Sequence, residues 1–451
     1  MAFFRFSFAP EDTLQKLLLR LALSVVLVAI VCRPAVAATI SFATVMQQAV
    51  RHSYALKIAG SDVELRRLDL REARSRYLPT LSLRYDFGYV WALSGQEQIV
   101  TIGDSVSANN VSTWQNSLSL TTSLPLFDFG ARQQKIVETR HGIRNAELTQ
   151  SAQLQKLRLS VLDTYAEGLR SQCRLRMLGR IVTLRKKLYR AIDRLHRAGL
   201  VGCNSLNEAA LHLAADLTRF DDGRADFIRA LTAMTELTGE RYLMDQTIFS
   251  PLPTTPVADA GEIVVERLPQ VRALDEDLAR LRAEREASRR GMLPTIDLYG
   301  NYRLYGADQG QIGRTVEDLS RRDASVAVAL RWEFFSGFRD RLKLERIDVQ
   351  MRRVSLQRQQ KIAELHREID TLRRTAQLRD STEDHLRQRW QVNLKAADDD
   401  ARLRTQGVLA ENTALEKEID LMEDILDADL LRIKRRTDAM RLRLWQQEAG
   451  S

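Results

Sequence analysis

The residue types that most often carry out chemistry are few and scattered in this sequence. None of the six histidines stands in a close His/Cys/Glu spacing such as HExxH, which is typical of metal sites; they are His52, His141, His196, His212, His366 and His385. A phosphate-binding Walker loop and a GxSxG nucleophile elbow are also missing from the sequence. We therefore expect no metal site, no cofactor and no enzyme activity.

The cysteines do not form an obvious disulfide. Cys32 lies in the N-terminal segment, so an exported chain would keep only Cys173 and Cys203. The helix predicted between these two residues would separate them by ~45 Å. A disulfide requires Cα atoms within about 7 Å of each other. We therefore expect two unpaired thiols.

The N-terminus resembles a cleaved secretory signal peptide, predicted over residues 1–37. Basic residues precede a short apolar run at 21–32, and the small residues 35–37 suit cleavage before Ala38. The run is too short to be a stable membrane anchor. Cys32 is a weak candidate for lipidation, because Val31 stands where a small residue is expected.

Charge patterning argues against nucleic-acid binding. The 451-residue chain has a formal net charge of +9, but its 68 Lys and Arg are interleaved with 59 Asp and Glu. Residues 66–72 show this mixture at helical spacing. Mixed signs indicate a solvated, ion-paired surface, whereas a nucleic-acid binder segregates a basic patch.

An internal repeat organises the chain. Residues 78–83 (LPTLSL) recur as LPTIDL at 293–298, and each copy ends a charged helical stretch. A proline at the strand entry (Pro79 or Pro294) prevents the helix from continuing. Each copy is followed by two alternating runs that close on Gly130 or Gly337 and lead into a long helix. We predict a first repeat at 38–239, a connector at 240–260 and a second repeat at 261–451.

The alternating runs predict four β-strands, at 80–92, 112–127, 295–305 and 324–335, with loops at 94–110 and 306–323. Apolar residues point to one side and polar residues to the other. Their length and aromatic ends match transmembrane strands. The alternative is a soluble β-sandwich, in which each sheet would bury its apolar face.

Two very long helices, predicted at 131–198 and 340–406, set the size of the molecule. Each would extend ~100 Å, and apolar residues three and four apart predict lateral packing against other helices. The helices end at Gly199 and Gly407, and shorter helices return over 205–237 and 411–447. Helical stretches at 40–77 and 262–291 precede the two strand pairs.

Four amphipathic strands cannot close a sheet within one chain. Open strand edges inside a bilayer leave unpaired backbone groups, each costing several kcal/mol, and single-chain barrels start at about eight strands. Several identical chains must therefore pool their strands, with a ring as the simplest closure. A membrane pore continued by long helices is a conduit.

The order and duplication of these features resemble the TolC-like outer-membrane efflux and secretion family over essentially the whole mature length. The resemblance implies a mainly α-helical chain with membrane β-strands. Three copies would form a twelve-stranded β-barrel in the outer membrane of a Gram-negative bacterium, continued by a periplasmic helical barrel. The implied partners are outer-membrane lipid, a periplasmic adaptor and an inner-membrane transporter of the ABC, RND or MFS type.

The same resemblance implies sites at the helical tips. Acidic residues after each tip glycine could ring a pore constriction; the candidates here are Glu208, Glu411 and Glu416. The family pattern has acidic residues six and nine positions after the tip glycine. In this sequence the positions six residues after the glycine are instead Ser205 and Thr413. The alternative is that these glutamates are ordinary solvated side chains near helix starts.

The tips themselves are the candidate surface for docking the adaptor, because exposed apolar residues at a helical turn suit such contact. The tip residues are Gly199, Leu200, Gly407, Val408 and Leu409. Simple helix capping is the alternative. A periplasmic coiled-coil scaffold is the runner-up for the whole protein, and type I protein secretion and small-molecule efflux both remain open.

Overall fold

The computed structural model describes residues 38–91, 98–102, 105–109, 113–253, 263–308, 321–405 and 411–450. The predicted signal peptide lies outside these ranges. The chain forms two compact units. We call the described residues within 1–52, 158–256 and 376–441 the helical unit, and those within 53–157, 257–375 and 442–451 the sheet unit. Each unit draws on both predicted sequence repeats, so the repeat boundaries stay a prediction about the sequence.

The described elements are, in chain order, β1 (Ala38–Ile40), α1 (Phe42–His52), α2 (Tyr54–Ser75), β2 (Thr80–Val90), β3 (Gln98–Ile102), β4 (Ser105–Asn109), β5 (Thr113–Phe127), α3 (Ala131–Arg197), α4 (Cys203–Thr238), β6 (Thr247–Phe249), a short 3-10 turn (Val265–Arg267), α5 (Pro269–Arg290), β7 (Thr295–Asp308), β8 (Arg321–Arg331), α6 (Arg339–Thr405) and α7 (Glu411–Gly450).

Three sequence interpretations need correction. The segment 94–110, interpreted as a loop, contains the antiparallel hairpin β3–β4. The strand expected at 324–335 begins earlier and ends at Arg331, because its last partner is Thr295, the first residue of β7. The helical stretch 40–77 is divided at Ser53, whose hydroxyl accepts a hydrogen bond from the Leu56 N–H at 3.3 Å and so begins a new helix.

The main sheet of the sheet unit has the order β2-β5-β7-β8, with every neighbouring pair antiparallel. Cross-strand register separates its two faces. One face carries apolar rows such as Leu83–Leu120–Tyr302, and the other carries polar rows such as Arg84–Ser119–Arg303. Leu83 is 69% exposed and Val328 on β8 is 64% exposed. The apolar face is therefore open to its surroundings within this unit.

A layer of helices in the sheet unit follows the same order as the strands. Arg67 of α2 pairs with Glu147 of α3 at 3.0 Å, and two further side-chain contacts join α3 to α5 and α5 to α6: His141–Glu276 at 2.6 Å and Arg285–Asp348 at 2.7 Å. An apolar core of Leu281, Ile347 and Val354 also holds α5 against α6. The order α2-α3-α5-α6 thus continues β2-β5-β7-β8, one helix for each strand.

The helical unit is built from the C-terminal parts of α3 and α6 together with α4 and most of α7. Its apolar core includes Leu188, Ile192, Ala209 and Ile419. The short strands β1 and β6 pair in parallel, and the Tyr165 hydroxyl lies 2.9 Å from the Ile40 carbonyl and 2.7 Å from that of Ser250. No helix in the described ranges is long and apolar enough to cross a lipid bilayer.

Candidate functional site

The two strand entries have the same turn. After α2, the Leu78 N–H donates to the Ser75 carbonyl at 2.8 Å, and Pro79 then leads into β2. After α5, the Leu293 N–H donates to the Arg290 carbonyl at 3.0 Å, and Pro294 leads into β7. Proline lacks the N–H that a further helical bond would need. Both predicted entries therefore lie where a helix becomes a strand.

The two strand exits share backbone geometry. Phe129 and Gly130 both have positive φ, 52° and 81°, and so do Gly337 and Phe338, 62° and 65°. Positive φ is uncommon for a residue other than glycine. Each pair reverses the chain between a strand and a long helix, at the glycine that the sequence singled out.

Asp128 secures the first exit. Its carboxylate accepts hydrogen bonds from the Arg132 N–H at 2.8 Å, the Arg132 side chain at 2.8 Å and the Gly130 N–H at 3.1 Å. Burial by itself would raise the pKa of Asp128, but these hydrogen bonds and the charge of Arg132 together lower that pKa below its usual range. The carboxylate caps α3 at its positive end.

The first helical tip is a tight turn in the helical unit. Gly199 has φ of 74°, and the Leu200 N–H donates to the Leu195 carbonyl at 2.9 Å, the wide hydrogen bond of a Schellman cap. Leu200 is 72% exposed. The second predicted tip, with Gly407, Val408 and Leu409, lies outside the described residues.

The three candidate glutamates lie near this tip but differ in their contacts. Glu411 begins α7 and pairs with Arg194, near the end of α3, at 3.0 Å. Glu208 lies on the second turn of α4, 3.9 Å from His212. Glu416 is exposed on α7, and its neighbour Leu415 packs in the same apolar cluster as Ala209, the neighbour of Glu208. Glu208 and Glu416 therefore border one packed helical seam.

Sequence reasoning missed a buried ion pair within that seam. Asp216 is 3% exposed and accepts a hydrogen bond from the Arg185 side chain at 2.8 Å. Arg219 approaches both Asp216 and Glu423 of α7 at 3.5 Å. The sequence could have predicted that Asp216 is buried. Asp216 stands seven residues after Ala209 and seven before Gly223, at a heptad position where apolar residues are expected.

A polar cavity of about 460 Å³ opens among α2, α3 and α5 of the sheet unit. Its wall carries equal numbers of acidic and basic side chains, several of them paired with each other, including Glu72 with Arg76 at 3.2 Å and Lys135 with Glu138 at 2.7 Å. Small-molecule sites are usually lined mainly by apolar and aromatic side chains, so this charged wall is not typical of one.

Among the described residues, no group of three or more His, Cys, Asp or Glu side chains could hold a metal ion. Cys173 is half-buried and Cys203 is exposed, and both thiols are free. Burial and the charge of Asp429 raise the pKa of Cys173. The described site residues can cap helices, form ion pairs and line a polar surface.

Comparison with known proteins relates this geometry to a family. Residues 45–240 match the profile of the family described as "Outer membrane efflux protein". A search of curated proteins found no match.

Solved structures of outer-membrane channels share the fold. The chain is 15% identical to CusC (TM-score 0.74, covering 90% of this chain and 91% of that one). It is 16% identical to VceC of Vibrio cholerae (TM-score 0.72; 91% and 96% covered). It is 14% identical to CmeC of Campylobacter jejuni (TM-score 0.73; 90% and 85% covered). Residues 45–240 are thus similar to the outer membrane efflux protein family, and the chain has the TolC-like fold over nine-tenths of its length.

Proposed function

We propose that the protein is an outer-membrane channel-tunnel and acts as a passive conduit for export. Three copies would join their four-stranded sheets into one twelve-stranded barrel, continued in the periplasm by the long helices. The observation that carries the proposal is the open sheet β2-β5-β7-β8, in which β2 and β8 each have one edge that pairs with no other strand of the described residues.

The two faces of the sheet support a position in the membrane. Its apolar face exposes Leu81 (72%), Val326 (80%) and Leu330 (66%), as a lipid-facing surface would. The opposite face carries Arg84, Arg303 and Asp323 in one register row, which suits a water-filled lumen. Free strand edges are not tolerated in lipid, so copies must meet edge to edge.

The helical tips are the proposed contact with the rest of an export machine. Leu200 is an exposed apolar residue at the end of a helical pair, which suits docking to a periplasmic adaptor. The adaptor would connect the channel to an inner-membrane transporter of the ABC, RND or MFS type. The conduit would thereby serve a tripartite efflux pump or a type I secretion system, and the transporter would select the cargo and supply the energy.

Cell fractionation tests the proposal. Expressed in a Gram-negative host, the protein should sediment with outer-membrane markers on a sucrose gradient and migrate as a heat-modifiable trimer on SDS gels. A monomer recovered in the soluble periplasm would favour the coiled-coil scaffold and overturn the proposal. A crosslinkable residue in place of Leu200 would then identify the adaptor, with Leu211, 71% exposed further along α4, as the control position.

A further inference from the structure

The two outer helices of the four-helix layer each expose an apolar stripe. On α2 the stripe consists of Tyr54 (68% exposed), Ile58 (63%), Leu65 (57%) and Leu68 (49%). On α6 the stripe consists of Leu342 (61%), Val349 (55%) and Leu356 (64%), spaced seven residues apart. Solvated helix faces are normally polar, and the exposed aliphatic residues of the two stripes, such as Ile58, Leu65 and Val349, depart from that rule.

The stripes do not face the layer itself. On α6, the buried Ile347 follows Leu342 by five residues, which places it ~140° around the helix. On α2, the buried Val63 follows Ile58 by the same spacing. Each outer helix therefore has one apolar side packed in the layer and a second apolar side directed away from it. Such a helix is built to lie between two neighbouring helices.

The outer strands of the sheet, as far as the structure describes the chain, lie on the same two sides as the stripes. Helix α2 leads directly into β2, and α6 follows β8, which are the outer strands of the sheet. One side of the unit thus offers the α2 stripe with the β2 edge, and the other side offers the α6 stripe with the β8 edge. Two different surfaces that complement each other make a head-to-tail contact, which can close into a ring.

The internal duplication predicts the register of this contact. Helices α2 and α5 both have 22 residues, and their starts differ by 215 positions; α3 and α6 both have 67 residues, and their starts differ by 208. A contact between α6 and a neighbouring α2 would therefore repeat the contact that α3 makes with α5 inside one chain.

The internal contact is well defined. His141 of α3 meets Glu276 of α5 at 2.6 Å. The residue 208 positions after His141 is Val349 on α6, and the residue 215 positions before Glu276 is Ser61 on α2. The repeat therefore places Val349 level with Ser61, which lies between Ile58 and Leu65. Because the helices are antiparallel, one heptad in either direction places Leu342 level with Leu68 and Leu356 level with Tyr54. Arg346 falls level with Glu64, an opposite charge.

We propose that the α6 stripe of one copy packs along the α2 stripe of a second copy of this chain, in this register. This inference rests on the proposed assembly of several copies into a channel. It adds the residues that hold the copies together outside the membrane.

Disulfide trapping tests the register. In a chain whose native cysteines are replaced by serine, Leu68→Cys with Leu342→Cys should give crosslinked dimers and trimers on oxidation, because a disulfide needs Cα atoms within about 7 Å. The matched control, Leu68→Cys with Leu356→Cys, misaligns the pair by ~21 Å along the helix. The control pair should give no crosslinked dimers or trimers.

The outcomes separate the two proposals. If a conducting trimer forms but the Leu68→Cys and Leu342→Cys pair does not crosslink, or crosslinks only within one chain, the proposed interface is wrong and the proposed channel is unaffected. A crosslinked trimer that does not conduct supports the interface and overturns the channel. A protein that stays monomeric overturns the interface.

Charge reversal gives an independent readout. Arg346→Glu alone and Glu64→Arg alone should each shift the temperature at which the trimer dissociates on SDS gels downward. The double variant should recover most of that loss, because the pair is restored with its signs exchanged. Additive losses in the double variant would contradict the register.

Discussion

Individual side chains in this protein mostly stabilise turns and helix contacts. Asp128 is the clearest example, since one carboxylate holds two backbone N–H groups and the Arg132 side chain where a strand becomes a helix. The second exit uses other groups: the Ser336 hydroxyl bonds to Asp340 at 2.7 Å, and Arg339 pairs with Glu333 at 2.9 Å. In both exits the arginine two residues after the glycine pairs with a carboxylate, but that carboxylate stands at a different position: Asp128 in the first and Glu333 in the second.

The lowered pKa of Asp128 makes its contribution to stability dependent on pH. A carboxyl whose folded-state pKa is depressed stabilises the fold above its unfolded pKa, about 3.9, and loses that effect as pH falls through the folded-state value. Thermal midpoints of wild type and Asp128→Asn should therefore differ most near pH 7 and converge below about pH 4. Asp221→Asn, at an exposed side chain, serves as the control. A difference that stays constant down to pH 3 would count against this role.

The buried pair Arg185–Asp216 should matter more than any exposed pair. Asp216→Ala leaves Arg185, whose side chain is only 16% exposed, without its partner. Removing one partner of a buried pair costs about 3–5 kcal/mol. Glu167→Ala, which breaks a partly exposed pair with Arg170, should cost less than about 1 kcal/mol. Chemical unfolding in detergent micelles measures both, and equal losses would refute the distinction.

Glu208 and Glu416 remain predicted constriction residues. If three copies of each face one lumen, their negative charges favour cations there. Glu208→Gln combined with Glu416→Gln should then reduce cation selectivity and change single-channel conductance. Glu236→Gln, at an exposed position near the opposite end of α4, is the matched control. Unchanged selectivity in the double variant would assign both glutamates to an ordinary solvated surface.

Helices and strands could be predicted where the local sequence pattern is clear. Proline after a charged helix and strict alternation placed β2, β5 and β7 within a few residues, and Gly199 marked the end of α3. The hairpin β3–β4 was missed because its strands have only 5 residues each and Ile99 and Val100 stand side by side in β3, which interrupts the alternation. The end of β8 was misplaced because Trp332 and Phe334 continue the alternation after the partner strand has ended. Strand pairing, which no local pattern encodes, decided that boundary.

At each strand exit the chain needs a residue with positive φ to turn from the strand into the long helix. Gly130→Ala should destabilise the protein by about 1–2 kcal/mol, because a Cβ is disfavoured at φ of 81°. That Cβ would also lie 2.7 Å from Arg290 Nη1, although the flexible side chain can move. Gly88→Ala in β2 is the control, since its Cβ would meet nothing within 4 Å. A thermal midpoint lowered equally in both variants would contradict this explanation.

The organisation of the whole molecule follows from the match between the strand order and the helix order of the sheet unit. The sequence was sufficient to count four strands and so to predict an assembly of several copies. It did not reveal which helices are the outer ones, because Ile58 and Val63, or Val349 and Val354, are indistinguishable as apolar residues. Only the packed layer shows that Val63 and Val354 are buried whereas Ile58 and Val349 are exposed.

Assembly into a conducting pore is the central claim, and planar-bilayer recording of the purified protein tests it most directly. A preparation shown to be trimeric by native mass should insert and give uniform, long-lived conductance steps in salt solution. A well-folded trimer that leaves the bilayer current at baseline, under conditions in which a porin inserted from the same detergent conducts, would contradict the account.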